Sequence, residues 1–133
     1  NSHKITKKIQ KIIGKNYYMS KFPIEYRKYP TGSKGMPWHI DTPLFKKPQY
    51  EFILTISNSS DSKTEWINSD KTKISKSTKP KSLIIIKAMS KFHRVTPINK
   101  GNRSIIKFVF TETDQKLKAF DHDIKCRYNN CNK

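Results

Sequence analysis

From residue 22 to residue 111 the sequence never sustains a helical repeat; it breaks into short β-like runs separated by turn sequences rich in Pro, Gly, Asn and Ser. That feature restricts the fold most. Residues 23–29 read as a strand stopped by the turn sequence Pro30-Thr31-Gly32, and residues 36–40 form another extended piece. Along residues 50–57 the alternation predicts Tyr50, Phe52, Leu54 and Ile56 on one face, with Glu51, Thr55 and Ser57 on the other and Ile53 interrupting the polar side. Residues 58–62 make a polar turn and residues 64–67 a brief strand, whereas the Lys/Ser/Thr-rich stretch 70–80 reads as an exposed excursion. Residues 82–87, 91–96 and 103–111 complete the set, the last two joined by the turn sequence Asn99-Lys100-Gly101-Asn102. Six or seven short strands with no helix between them exclude an alternating βαβ chain and leave a sandwich or barrel of antiparallel strands.

One helix precedes the strands. Ile5, Ile9, Ile12 and Ile13 recur at helical spacing between lysines, and Gly14 stands where such a helix stops, so residues 3–14 are expected to pack on the core through the isoleucine stripe. The 133 residues suffice for one domain, with its core at about 22–111 and a C-terminal extension over 112–133. Only 34% of residues are hydrophobic and the mean hydropathy is −0.81, but 15 aromatic residues separate the chain from disordered sequences. The longest apolar run, residues 83–86, is too short to span a bilayer, and no secretory signal pattern opens the sequence. The expectation is a soluble chain, and a transmembrane protein, a coiled coil and a disulfide framework are excluded. The 28 Lys and Arg against 10 Asp and Glu leave a net charge of +18, spread through every segment. Such a surface suits nucleic acid, anionic membrane or acidic proteins as partners, and equally a lysine-rich coding bias on solvated faces. Cys126 and Cys131 admit a local disulfide, a metal site with His122, or two idle thiols.

The residues with a chemical pattern are histidines. His39 and Asp41 flank one residue, so in an extended strand an imidazole and a carboxylate project from the same face. A third ligand from another strand would complete a facial triad of the kind that serves non-haem Fe(II), and His93, 52 residues beyond Asp41, is the natural candidate. Ten residues after His93, just past the Gly101 turn, stands Arg103. A hairpin would return this arginine beside the metal strand, where its fork can take a carboxylate with two hydrogen bonds. Iron would then hold one end of a dicarboxylate and Arg103 the other.

Tyr29-Pro30, His39-x-Asp41 and His93-x-Val95-x-Pro97-x-x-x-Gly101-x-Arg103 together resemble the 2-oxoglutarate and Fe(II)-dependent dioxygenases, most closely their prolyl-hydroxylase-like branch. The resemblance spans about residues 22–111. It implies a mainly β fold, a double-stranded β-helix (jelly-roll) barrel, here with a short N-terminal helix. It implies His39, Asp41 and His93 as iron ligands and Arg103 as the anchor of the distal carboxylate of the co-substrate 2-oxoglutarate. It further implies that Tyr29 contacts the co-substrate and that Thr55 offers a hydroxyl near the same carboxylate. The sequence departs from the family at three points. Ser60-Asp61-Ser62-Lys63-Thr64 keeps a threonine where relatives often have Gly-Gly-x-Thr, Ser104 follows Arg103 directly instead of one residue later, and the chain leaves little room for a lid.

The activity so implied uses Fe(II) as its cofactor and consumes 2-oxoglutarate and dioxygen, with ascorbate as an accessory reductant, and yields succinate and carbon dioxide while hydroxylating a peptidyl proline or lysine. The positive charge suggests two alternatives. One is oxidative demethylation of nucleic acid, as in the AlkB-like branch; that branch usually carries two arginines beyond the third ligand, whereas here Lys107 is the last long strand's only other cation. The other is a catalytically silent basic module that binds nucleic acid. His3 and His122 lie outside the pattern, and Trp38 and Trp66 suit either core packing or contact with substrate.

Overall fold

The computed structural model describes residues 2–129. Helix α1 (Ser2–Ile13) ends at Gly14, as the sequence predicts. Only part of its isoleucine stripe is used. Ile9 is buried, and Ile13 packs beside it in a cluster with Tyr17, Phe52 and Phe110, while Ile5 and Ile12 stay 58% and 67% exposed. The helix meets the sheet through Ile9 and Ile13, one i, i+4 pair in its C-terminal half.

Nine strands follow: β1 (Tyr18–Met19), β2 (Glu25–Tyr29), β3 (Met36–His39), β4 (Tyr50–Asn58), β5 (Thr64–Ile67), β6 (Lys73–Lys76), β7 (Leu83–Lys87), β8 (His93–Val95) and β9 (Arg103–Thr111), before helix α2 (Lys118–Asn129). The larger antiparallel sheet runs β7-β4-β9, with β2 and β1 side by side along the far edge of β9; the smaller runs β3-β8-β5-β6. The chain alternates between the sheets from β2 to β5 and again from β6 to β9, which is the winding of a double-stranded β-helix. Among the described residues no ladder joins the two sheets, so the barrel is flattened and open along its edges.

Two strand expectations need correction. The stretch 70–80 is not merely an excursion: β6 lies within it and pairs antiparallel with β5 from Thr64↔Lys76 to Ile67↔Lys73. Its side chains stay largely solvated, so the backbone ladder and not an apolar face makes it a strand. In β4 both faces are covered. Phe52 packs under α1, and Glu51 and Thr55, on the opposite, polar side of the alternation, are buried as well, with Ile53 half-buried, while Ile56, expected to share the face of Phe52, is exposed. The register slips between Thr55 and Ser57, leaving Ile56 as the extra residue of a bulge.

The inner face of β9 presents Arg103, Ile105, Lys107 and Val109 in succession. Val109 joins Phe22, Leu44, Phe45 and Phe120 in a second apolar cluster, and the three preceding residues line a cavity. Phe120 belongs to α2, a helix in the C-terminal extension that no strong periodicity announces. Cys126 on this helix is buried with its Sγ 3.5 Å from His122 Nε2; Cys131, and with it the choice between disulfide, metal site and idle thiols, lies outside the described residues. No helix is long and apolar enough to cross a membrane among the described residues.

Candidate metal centre

β3 and β8 are neighbours in the smaller sheet, and their register sets His39 directly opposite His93. The ladder slips between Met36 and His39, where Pro37 has no N–H to give, and this irregularity sets the position of His39 at the end of β3. The two imidazole centroids are 4.3 Å apart. Asp41, two residues on, brings its Oδ1 within 3.2 Å of His39 Nε2 and 3.4 Å of His93 Nε2. Donor atoms of the three side chains all lie within 4.8 Å of one another, so the three sequence candidates converge as a set.

The backbone fixes which ring nitrogens face this point. Nδ1 of His39 lies 2.8 Å from the Pro37 carbonyl, and Nδ1 of His93 lies 2.8 Å from the Lys91 carbonyl. A carbonyl only accepts, so each Nδ1 carries a proton and donates it, and each ring turns its Nε2 toward Asp41. That is the outer support metal-ligating histidines receive. Burial raises the Asp41 carboxyl, but the hydrogen bond and charge of His93, with Lys107 and His39, outweigh it and hold the group below its ordinary 3.8. Burial lowers His93, yet Asp41, the Lys91 carbonyl and the charge of Glu51 keep its imidazole above the ordinary 6.5.

Arg103 and the triad line one cavity of about 350 Å³, which Tyr29, Ile53, Glu51 and Lys107 also border. The guanidinium is 4% exposed, its Nε makes no hydrogen bond, and none of the ion pairs among the described residues involves it. Burial pulls it below its ordinary value, with a small counter-effect from Tyr29, its cross-strand partner in the β2–β9 ladder. A buried cation without a counter-ion is costly unless an anion arrives to pair with it. Tyr29 borders the cavity, and its hydroxyl accepts a hydrogen bond of 3.4 Å from Arg27. Thr55 is 1% exposed and its hydroxyl has no hydrogen bond, but it does not line the cavity. Thr64, the threonine kept where the family's glycines are absent, does line it, again with a buried hydroxyl that makes no hydrogen bond. Ser104 turns away from Arg103 and bonds Ser57 Oγ at 2.5 Å.

Sequence reasoning missed the pair Glu51–Lys107. Lys107 Nζ lies 2.7 Å from Glu51 Oε1 inside the same cavity, and burial holds the Glu51 carboxyl above its ordinary value despite the lysine, with the Asp41 charge adding to the rise. The signal was available: Lys107 follows Arg103 by four residues and so shares its face. Trp38 is turned to neither core nor cavity. It stacks on Phe92 at 5.2 Å, with the Arg94 guanidinium 5.0 Å above its ring.

Two antiparallel sheets wound in this order carry the His-Asp-His group and the buried arginine on the space between them, and solved proteins share this fold. Two solved structures illustrate it. An oxidoreductase of the 2OG-Fe(II) oxygenase family from Burkholderia pseudomallei superposes with a TM-score of 0.70 at 10% identity, over 84% of this chain and 53% of its own. A prolyl-4-hydroxylase from Pseudomonas putida gives a TM-score of 0.56 at 15% identity, over 68% of this chain and 51% of its own. The chain thus spans about half the length of these two structures. No protein-family model and no curated protein matches the sequence.

Proposed function

We propose that this chain is an Fe(II)- and 2-oxoglutarate-dependent dioxygenase that hydroxylates a proline or lysine side chain of a polypeptide. One observation carries the reading: the buried Arg103 guanidinium, without a counter-ion, borders the same cavity as the convergent His39, Asp41 and His93. Two neutral imidazoles and one carboxylate are the donor set that suits Fe(II), and a cationic fork inside a cavity suits the free carboxylate of a dicarboxylic acid. With Fe(II) held by the triad and 2-oxoglutarate beside it, the site would supply the chemistry by which dioxygen hydroxylates a C–H bond, one oxygen atom entering the product and the other the succinate formed as carbon dioxide leaves.

The chain's own side chains perform the rest. Pro37 and Lys91 carbonyls hold the Nδ1 protons, so neither imidazole can turn its Nε2 away without losing a hydrogen bond. Arg103 binds and orients the distal carboxylate, Tyr29 shapes that end of the cavity, and Thr64 offers a hydroxyl to it. Ile53, Ile86, Val95 and Ile105 line the same space and keep it poor in water.

The prolyl-4-hydroxylase likeness supports a polypeptide substrate. On β9, Lys107 is committed to Glu51, so the strand lacks the second free cation beyond the third ligand that the nucleic-acid demethylase reading asks for. A silent binding module is disfavoured because a buried, unpaired arginine lowers stability with no return unless it meets a ligand. The test incubates the protein with Fe(II), ascorbate, 2-oxoglutarate and candidate peptides, with oligonucleotides as the control class. Mass spectrometry should find one added oxygen on a peptide, with succinate formation that disappears in His93→Ala. Oxidation of oligonucleotides alone would overturn the polypeptide assignment.

A further inference from the structure

A second cavity, of about 420 Å³, reaches the metal centre at His93 and shares Thr64 and Ile86 with the first. All five residues of β7 line it, together with Trp66 and Thr64 of β5, His93 of β8 and Lys91. Successive residues of a strand point to opposite faces, so five in a row can border one space only if the strand presents its edge. β7 pairs with β4 alone, and its other edge has no partner strand among the described residues.

The hydrogen-bond parity identifies which groups that edge offers. The β4–β7 register pairs Tyr50 with Lys87 and Leu54 with Leu83. Immediately outside it Ala88 N–H donates to the Gln49 carbonyl and Thr55 N–H to the Ser82 carbonyl. Hydrogen-bonded pairs alternate along an antiparallel ladder, so Ser82, Ile84, Ile86 and Ala88 turn their backbone groups to β4. Leu83, Ile85 and Lys87 turn theirs outward. The Lys87 carbonyl accepts from Ser90, which leaves the N–H groups of all three and the carbonyls of Leu83 and Ile85 on the open edge.

Proteins blunt such edges with charge, proline or bulges. β6 carries Lys73 and Lys76, β3 carries Pro37 and a slipped register, and β2 is charged along most of its length. β7 has none of these devices from Leu83 to Ile86, and its register is unbroken. Lysines stand at both of its ends, Lys79 and Lys81 before it and Lys87 and Lys91 after, while no acidic residue lines the cavity.

We infer that β7 is the docking strand for the polypeptide substrate, which adds to the larger sheet as an extended, acidic segment. The inference rests on the function proposed above and names how its substrate is held. Backbone hydrogen bonds from Leu83, Ile85 and Lys87 hold the segment, the flanking lysines select acidic neighbours, and every second side chain turns into the cavity that ends at His93.

The probe is a fluorescein-labelled peptide of alternating Glu and Val, followed by fluorescence anisotropy and by amide hydrogen exchange on the full chain. Binding should protect the Leu83 and Ile85 amides by about ten-fold or more and leave Ile84 and Ile86, already bonded to β4, unchanged. Leu83→Pro removes an outward N–H without touching the ladder, and should weaken binding by about ten-fold or more with Mn(II) uptake retained. Should that variant fail to fold, peptides N-methylated on odd or on even residues replace it; one set should bind and the other should not. No anisotropy change at millimolar peptide, protection that does not alternate, equal binding by both methylated peptides, or a second copy of the chain on the β7 edge by sedimentation and exchange would each overturn the inference. Calorimetric binding of Mn(II) and 2-oxoglutarate uses none of the outward backbone groups of Leu83, Ile85 and Lys87, although the Ile86 side chain borders that cavity. Its absence would remove the oxygenase reading by itself, and its presence with a β7 edge that takes no peptide would remove the docking inference alone.

Discussion

Arg103 is a residue whose two duties pull in opposite directions. In the ligand-free chain a buried guanidinium without a partner carries its desolvation cost uncompensated, and only a bound anion returns it. Arg103→Met keeps the volume and removes the charge. It should raise ligand-free stability in urea by about 1–2 kcal/mol and weaken 2-oxoglutarate binding by roughly thirty-fold or more, with metal affinity nearly unchanged. A loss of stability, or equal losses of both ligands, would mark the arginine as structural. Proton competition is the second residue-scale consequence. His93 must give up its Nε2 proton before that lone pair can meet a metal, and its imidazole is held above the ordinary 6.5. Metal affinity should therefore fall steadily as pH drops through the imidazole's titration and level off above it, which calorimetry across a pH series measures directly. A pH-independent affinity would mean that His93 is not a ligand. At this scale the sequence was most legible: an i, i+2 pair in a strand shares a face whatever sheet the strand joins, so His39 and Asp41 were readable before any topology was known.

The turn between β8 and β9 is the element that delivers Arg103. Gly101 takes a φ of 74°, and a Cβ there would sit 2.2 Å from the Ser59 carbonyl oxygen, so neither the conformation nor the space admits a side chain. Asp61 holds the same turn by accepting from the Asn99 and Lys100 amides at 2.9 and 3.2 Å, and Thr31 bonds the Gly101 carbonyl at 2.6 Å. Gly101→Ala should cost about 2 kcal/mol or more of stability and raise the 2-oxoglutarate requirement, because the turn must move Arg103 to relieve the clash. Unfolding curves paired with co-substrate titration check this; an unchanged titration would separate the turn from the cavity. The glycine was legible as a turn, but its contact with Ser59 was not, since that contact depends on where another loop runs. The reading of β4 failed for a related reason. Alternation finds two faces, but here the face carrying Glu51 and Thr55 is the interior, lined by a cavity and an ion pair instead of apolar packing.

Across the whole molecule, the strand count and the absence of intervening helices were enough to reach an antiparallel sandwich. The pairing order was not, because short runs of similar composition can be assembled into several topologies. α2 was missed because its burial rests chiefly on Phe120, with little apolar periodicity around it. The charge of +18 is a property of the surface and did not identify the site. Inside the cavity cations and carboxylates are interleaved, with Arg103 the one buried arginine left without an anion among the described residues. All of this depends on three side chains, from β3, its following residues and β8, meeting around one metal ion next to that arginine. Calorimetric titration of Mn(II), as a stable stand-in for Fe(II), followed by 2-oxoglutarate tests it most directly. The account predicts one metal per chain, co-substrate binding only after the metal, and loss of both in His93→Ala while its circular dichroism stays that of the parent. Metal uptake that survives His93→Ala unchanged, or 2-oxoglutarate binding that ignores the metal, would contradict it.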